Sequence, residues 1–175
     1  MVVLITGASH SGKTVLAQRL LERYHYPYLS LDHLKMGLIR SGATKLTPED
    51  DDALTELMWP IVREMIKTAI ENGQNLIVEG GYIPFAWQED FGPEYQQHIT
   101  WRCLVLSANY IKAHFDAIKQ HACAVEQRMS DADCTLERVL ADNAHYLEQA
   151  QRHQLPYILI DECYELERAL ELEHA

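Results

Sequence analysis

The chain has 175 residues, of which 26 are acidic and 15 basic, and a formal net charge of −11 at pH 7. Its apolar fraction of 47% is enough to bury the core of one domain over residues 1–175. The surplus of acids argues against binding to nucleic acid, where affinity comes from Lys and Arg on phosphates. No apolar stretch reaches the length needed to cross a membrane.

Cysteine and histidine spacing gives no sign of a structural metal or a disulfide framework. The four cysteines are widely spread without a C-x-x-C pair, and the nine histidines show no H-E-x-x-H spacing. The apolar start is short, has no basic leader and runs directly into a motif, so it indicates a strand and not a signal peptide. We therefore expect a cytoplasmic protein with reduced cysteines.

The first third of the chain alternates between short apolar strands and amphipathic helices. Residues 2–6 lack polar alternation, which predicts a strand buried on both faces. An amphipathic helix follows, and then a second strand at residues 28–31. The next predicted helix covers about residues 32–41, with Gly42 at its end.

The longest predicted helix opens at residues 47–50. Thr47 is the expected cap and Pro48 fits the first turn, while the acids that follow favour the positive end of the helix dipole. The apolar stripe of this helix runs on to Ala69. Pro60 interrupts the stripe and should kink the helix or split it in two.

The remaining elements repeat the same alternation. They comprise a third strand at 76–78, a long aromatic loop at 82–98, a fourth strand at 99–106, a helix, a polar segment at about 121–134, another helix, a fifth strand at 157–160 and a short C-terminal helix. Strands that alternate with helices predict an α/β fold with three α/β/α layers and a mostly parallel sheet.

One motif lies between the first strand and the first helix: Gly7-Ala8-Ser9-His10-Ser11-Gly12-Lys13-Thr14. It matches the pattern G-x-x-x-x-G-K-[ST] at every fixed position, which is the phosphate-binding loop. The two glycines allow a backbone whose N–H groups point inward at an anion. The Lys13 ammonium can reach the β- and γ-phosphates, where it serves in catalysis, and the Thr14 hydroxyl can bind Mg²⁺. The predicted nucleotide contacts are Gly7, Ser9, His10, Ser11, Gly12, Lys13 and Thr14, with the His10 side chain facing solvent.

With this loop in this layout, the chain resembles the P-loop small-molecule kinases. That group includes the nucleoside monophosphate kinases, the shikimate- and gluconate-type kinases, and the phosphoglycerate-kinase-like and antibiotic-kinase relatives. The resemblance implies a five-stranded parallel sheet of order 2-3-1-4-5 and a substrate region after the second strand. It also implies a lid after the fourth strand, at about residues 121–134, and the use of ATP with Mg²⁺.

Asp32 follows the second strand, where the related kinases place an acid that contacts the acceptor or the magnesium. For a hydroxyl acceptor, its carboxylate could take the proton during phosphoryl transfer. The alternative is that Asp32 only caps the helix.

The segment Glu79-Gly80-Gly81-Tyr82 follows the third strand. A carboxylate at the end of a buried strand is costly to leave unpaired, so Glu79 is a candidate for holding Mg²⁺ or orienting the acceptor. The paired glycines would let a ligand approach the backbone. The alternative is a turn closed by a salt bridge. Tyr82, Phe85 and Trp87 could line the acceptor pocket or merely pack the loop.

The segment resembles the Asp-Gly-Phe-Pro-Arg sequence of nucleoside monophosphate kinases. Ile83, however, replaces the arginine that holds the monophosphate in that group.

Three cations complete the predicted site. Lys35 and Arg40 lie on the helix after Asp32, where the resemblance implies an acceptor-binding arginine, and we choose Arg40. Arg128 is the only arginine of the lid-like segment, and there it would offset charge on the transferring phosphoryl oxygens. The alternative for Arg128 is a solvated surface side chain.

The leading interpretation is an ATP-dependent kinase for a small metabolite, most simply a hydroxyl acceptor, in a monomer or homodimer. A nucleotide or nucleotide-sugar kinase is a second possibility. A non-catalytic ATP-binding regulatory module is a third.

Overall fold

The computed structural model of the protein describes residues 1–121 and 134–172. Its centre is a five-stranded parallel sheet of order β2-β3-β1-β4-β5. The strands are β1 (Val2–Gly7), β2 (Tyr28–Ser30), β3 (Leu76–Glu79), β4 (Ile99–Leu106) and β5 (Ile158–Ile160). The predicted α/β class and the strand order implied by the resemblance are confirmed.

Six helices surround this sheet in the described residues: α1 (Lys13–Tyr24), α2 (Leu31–Arg40), α3 (Asp51–Glu71), α4 (Pro93–Gln96), α5 (Ala108–His121) and α6 (Leu136–Arg152). Two turns of 3-10 helix lie at Trp87–Asp90 and Glu167–Leu170. Within this part of the chain, no helix combines the length and the apolar character that crossing a bilayer would require.

The central strand β1 divides the core in two. Val2 and Leu4 pack on one side of the sheet, with residues of α3 and the aromatic loop after β3. Val3 and Ile5 pack on the other side, with residues of α1, α5 and the chain after β5. Because alternate strand residues point to opposite faces, an uninterrupted apolar run fills both layers. Each such side chain contributes about 1.5–3 kcal/mol when fully buried.

Parallel pairing brings the ends of three strands to one edge of the sheet. Ile5 of β1 lies opposite Glu79 of β3, and Gly7 lies opposite Leu104 of β4. The Gly80 N–H continues the ladder by donating to the Ile5 carbonyl at 3.0 Å. The first loop and the segment after β3 therefore leave the sheet side by side.

The start of α3 differs from the sequence prediction. Thr47 does not cap the helix, because its own N–H and hydroxyl donate to Asp50 Oδ2 at 2.7 and 2.9 Å. These bonds close a turn ahead of the helix, which begins at Asp51. Of the two outcomes predicted at Pro60, a kink or a split, the split does not occur: α3 is one 21-residue helix, and Pro60 lies on its exposed side.

The predicted loop at 82–98 is partly helical, since it holds α4 and the first 3-10 turn. Trp59 Nε1 donates to Asp90 Oδ2 at 2.7 Å, and Arg63 pairs with Asp90 Oδ1 at 3.3 Å. These two bonds to α3 order a segment for which the sequence pattern alone predicted no regular structure. The expected C-terminal helix is a 3-10 turn.

Candidate functional site: a phosphate loop and an adjoining acidic cleft

The loop between β1 and α1 has no room for side chains at its two glycines. Gly7 has φ 147°, and a Cβ there would collide with the carbonyl of Leu104 and the hydroxyl of Ser11. Gly12 has φ 92°, and a Cβ there would collide with the hydroxyl of Tyr164. Positive φ and close neighbours both require glycine, as the motif predicts.

Polar groups converge on the inside of this loop. Ser11 is fully buried and its N–H donates to the Ala8 carbonyl at 3.2 Å, whereas Ser9 is exposed. Lys13 Nζ folds back and donates to the same carbonyl at 3.0 Å. Helix α1 begins at Lys13, so the loop also lies at the positive end of its dipole. This geometry suits a polyphosphate.

His10 corrects one expectation. Its backbone has φ 66°, and its side chain is half-buried and not solvent-facing. It lines a cavity of about 380 Å³ beside the loop. The other lining residues are Gly12, Val15, Arg19, Leu106, Tyr110, Ala117, Ile118 and Tyr164. The loop therefore has an enclosed, largely apolar space on its α1–α5 side.

Thr14 and Glu79 meet across the edge of the sheet. The Thr14 hydroxyl donates to Glu79 Oε1 at 3.2 Å, and Glu79 is only 1% exposed. No cluster of three or more His, Cys, Asp or Glu side chains fit for a metal occurs in residues 1–121 and 134–172. One hydroxyl and one carboxylate nevertheless fit Mg²⁺, which takes few protein oxygens and completes its shell with water and substrate phosphates. Thr14 and Glu79 are the residues that would hold it.

A second group of polar side chains forms what we name the acidic cleft: Asp32, Lys35, Asp51, Tyr82 and Tyr146. Lys35 Nζ donates to the Tyr82 hydroxyl at 2.6 Å and pairs with Asp32 Oδ1 at 3.3 Å. The Tyr82 hydroxyl donates in turn to Asp51 Oδ1 at 2.9 Å. The cleft thus joins α2, the first residue of α3 and the segment after β3.

The two phenols of the cleft hold their protons firmly. Burial, the Asp51 carboxylate and Asp32 raise the pKa of Tyr82 well above its ordinary value. Burial likewise raises the pKa of Tyr146 to about 12. Since Tyr82 stays protonated, its hydroxyl must accept from Lys35 and donate to Asp51, and the direction of the chain is fixed.

Gly80 and Gly81 shape the wall of the cleft. Gly80 has φ 156°, and a Cβ there would come within 2.7 Å of Leu31 Cβ. The Tyr146 hydroxyl donates to the Gly81 carbonyl at 3.3 Å, which ties α6 to this wall. The glycines bring the backbone close to α2 and α6, whereas the approach of a ligand to them stays a prediction.

Comparison with known proteins agrees with the phosphate-binding loop predicted from the sequence. Residues 2–109, more than half of the chain, match the family model described as an AAA domain. The chain belongs to the AAA domain family. No curated protein sequence matches it.

Solved kinase structures share the fold of this AAA domain protein. A deoxyadenosine kinase from M. mycoides aligns with TM-score 0.57 and 14% identity, over 97% of this chain and 95% of that one. A gluconokinase from Sinorhizobium meliloti 1021 aligns with TM-score 0.52 and 14% identity, over 96% and 86%. A shikimate kinase from Bacteroides thetaiotaomicron aligns with TM-score 0.50 and 18% identity, over 99% and 89%. The fold is that of the P-loop small-molecule kinases, as the sequence resemblance indicated.

The predicted acceptor residues of this AAA domain protein divide into two groups. Asp32 and Tyr82 are in the acidic cleft, beside Glu79, Gly80 and Gly81. Asp32 is not the helix cap, because Ser30 takes that position and its hydroxyl accepts from the His33 N–H at 3.5 Å.

Arg40, the cation chosen from the sequence, lies away from Asp32. Arg40 is exposed at the last residue of α2, about 12 Å along the axis from Asp32 at 1.5 Å per residue. Arg128 lies outside the described residues, as does most of the lid-like segment, and its role stays a prediction. Lys35, which we passed over in favour of Arg40, supplies the cation in the acidic cleft.

Sequence reasoning missed Asp51 and Tyr146. Asp51 directly follows residues 47–50, whose acids indicated only a helix start, and Tyr146 lies far along the chain on α6. Phe85 and Trp87 favour the packing alternative. Trp87 is 3% exposed and stacks on Trp101 at 6.0 Å, and Phe85 packs against Trp101 and Tyr146.

Proposed function

We propose that the protein is an ATP-dependent phosphotransferase that moves the γ-phosphoryl group of ATP to a hydroxyl group of a small metabolite. The observation that carries the proposal is the bond between Thr14 Oγ1 and Glu79 Oε1, which joins the phosphate loop to the segment that opens onto the acidic cleft. Nucleotide-binding and acceptor groups therefore lie at one edge of the sheet, where ligands of α/β proteins bind.

The loop supplies most of the nucleotide binding in this proposal. Backbone N–H groups between Gly7 and Lys13 cradle the phosphates, and the Lys13 ammonium leaves the Ala8 carbonyl for a phosphate oxygen of higher charge. Thr14 and Glu79 would hold Mg²⁺, and the ion would supply positive charge against the phosphates.

The transfer itself is a substitution at phosphorus. The bond from the γ-phosphorus to the oxygen shared with the β-phosphate breaks, and a bond from the acceptor oxygen forms. Asp32 accepts the proton of the acceptor hydroxyl, and ADP leaves with the electron pair of the broken bond. The Asp32 side chain is 44% exposed, so it is accessible to an incoming hydroxyl.

Two further roles follow from the sequence alone. We propose that Arg128 approaches the transferring phosphoryl group when the lid-like segment closes and excludes water. Arg40 is proposed to contact a distal part of the acceptor. We further propose a cytoplasmic protein that acts on small molecules without nucleic-acid or membrane partners.

Acceptor-stimulated release of ADP tests this function. With Mg-ATP alone, slow release is expected, because water is a poor substitute for a positioned acceptor. A panel of sugars, amino sugars, nucleosides and their phosphates should contain members that raise the rate at least tenfold. Saturable ATP binding without stimulation by any of them would contradict the kinase and favour a regulatory module.

A further inference from the structure

The charges of the acidic cleft restrict what it can bind. Asp32 and Asp51 both act on the Tyr82 hydroxyl, and Asp142 and Asp51 both raise the pKa of Tyr146. Three carboxylates thus lie near the two phenols, and one of them, Asp51, accepts a hydrogen bond from Tyr82. Among the described residues, Lys35 is the single cation that bonds to Asp32, Asp51 or Tyr82.

Lys35 is already engaged. Its side chain is 14% exposed, its Nζ donates to the Tyr82 hydroxyl at 2.6 Å, and it pairs with Asp32 at 3.3 Å. An anionic group on a ligand would have to compete with Asp32 for this ammonium. The Tyr82 proton is equally committed, since it is donated to Asp51 at 2.9 Å.

No guanidinium group within 1–121 and 134–172 bonds to Asp32, Asp51, Tyr82 or Tyr146. Arg40 is at the opposite end of α2 from Asp32. Arg63 is held by Glu64 and Asp90, at 2.8 and 3.3 Å. In this part of the structure, the acidic cleft is therefore not bonded to an arginine, the side chain whose bidentate geometry suits a phosphate or carboxylate.

We infer that the acceptor is a hydroxyl compound without any phosphate or carboxylate group, such as a sugar, an amino sugar or a nucleoside. This inference rests on the proposed kinase function. Carboxylate oxygens accept hydrogen bonds from hydroxyl and ammonium groups and repel anions. The phenols and the Gly81 carbonyl add neutral polar contacts of the same kind.

Matched acceptor pairs test the inference. Adenosine with AMP, glucose with glucose 6-phosphate, and glucose with gluconate differ chiefly in an anionic group. In an ADP-release assay with Mg-ATP, the uncharged member of any active pair should have a kcat/KM at least tenfold above its anionic partner. Equal or greater kcat/KM for the anionic members would overturn the inference and leave the kinase function standing. Protein that binds ATP but responds to no pair would contradict both.

A variant that removes one negative charge tests whether the carboxylates cause the preference for uncharged acceptors. Asp51→Asn keeps an oxygen that can accept from Tyr82 while removing one negative charge. It should lower the ratio of kcat/KM between the uncharged and the anionic member of an active pair at least threefold. The control Asp52→Asn, at the exposed next residue of α3, should leave this ratio unchanged. An unchanged preference in Asp51→Asn, with an unaltered melting temperature, would contradict the electrostatic argument.

A bisubstrate probe tests the same point without turnover. Diadenosine pentaphosphate presents a nucleoside phosphate to the acceptor side while its other end occupies the loop. The inference predicts a Kd within tenfold of that of ATP, measured by calorimetry. Binding a hundredfold tighter than ATP would show that the acceptor side accommodates a phosphate, and would overturn the inference.

Discussion

The phosphate loop and the acidic cleft are neighbours at one edge of the sheet, yet they are built in different ways. The loop is eight consecutive residues that bind mainly through their backbone, with positive φ at Gly7, His10 and Gly12. The cleft takes single side chains from α2, α3, α6 and the segment after β3. In the proposed kinase, phosphate recognition is therefore local in the chain, whereas acceptor recognition depends on tertiary packing. Substitutions should separate the two regions.

Lys13→Ala should have the largest effect. Loss of the ammonium at the transferring phosphoryl group is expected to lower kcat/KM by about 10²–10³, or about 3–4 kcal/mol. Steady-state rates with Mg-ATP and an active acceptor measure this. The fold should remain, with the melting temperature close to that of the wild type, and Lys112→Ala at an exposed position of α5 should be neutral. Wild-type rates in Lys13→Ala would show that the loop takes no part in catalysis.

Gly80→Ala should be the most destabilising change in the cleft. Its new Cβ would meet Leu31 Cβ at 2.7 Å with φ at 156°, and strain plus overpacking cost about 2–4 kcal/mol. At roughly 2–4 °C per kcal/mol, thermal unfolding should register this clearly. Gly42→Ala is the control: its φ is 75°, but nothing lies within 4 Å of the added carbon. An equal loss in both variants would mean that contact with Leu31 contributes nothing.

Tyr82→Phe separates the two regions most directly. It removes the hydroxyl that links Lys35 to Asp51, so the acceptor KM should rise about tenfold, corresponding to about 1.4 kcal/mol. The KM for ATP should not change, because the loop keeps its backbone geometry. Tyr157→Phe, at a phenol 38% exposed, is the matched control. A parallel rise in the ATP KM would mean that loop and cleft are not independent.

The smallest effect concerns alkaline pH. Burial raises the pKa of Tyr146 to about 12 from the ordinary 10 of a phenol, so the folded protein holds this proton more tightly than the unfolded chain. Its contribution to stability is complete below pH 10 and is lost as pH rises from 10 towards 12. Melting temperatures between pH 8 and 11.5 should therefore fall less steeply in Tyr146→Phe. If the melting temperature falls with pH equally steeply in Tyr146→Phe and in the wild type, Tyr146 is in contact with water.

The sequence pattern was sufficient for the strands and the loop, because each is determined by residues close together in the chain, whereas the strand order was implied by the resemblance to the P-loop kinases. The apolar runs of β1 and β4 and the glycine spacing between Gly7 and Gly12 predicted the strands and the loop directly. The role of Asp51 was not predictable, because its partner Tyr82 is 31 residues away and meets it only after α3 packs. Likewise, Arg40 and Lys35 could not be ranked until the direction of α2 was known. The aromatic loop looked irregular because Trp59, on another element, orders it.

One buried amide has a consequence for the depth of the acceptor side. Asn143 of α6 is 1% exposed; its Oδ1 accepts from the Leu106 N–H at 2.8 Å, and its Nδ2 donates to the Val139 carbonyl at 2.9 Å. Tyr146 follows three residues later on the same side of the helix. The last residue of β4 thereby sets how far the Tyr146 ring reaches over Gly81. For the proposed kinase, we expect a different side chain at position 143 in related sequences to shift that ring and change the size of acceptor admitted, without any substitution in the wall of the cleft.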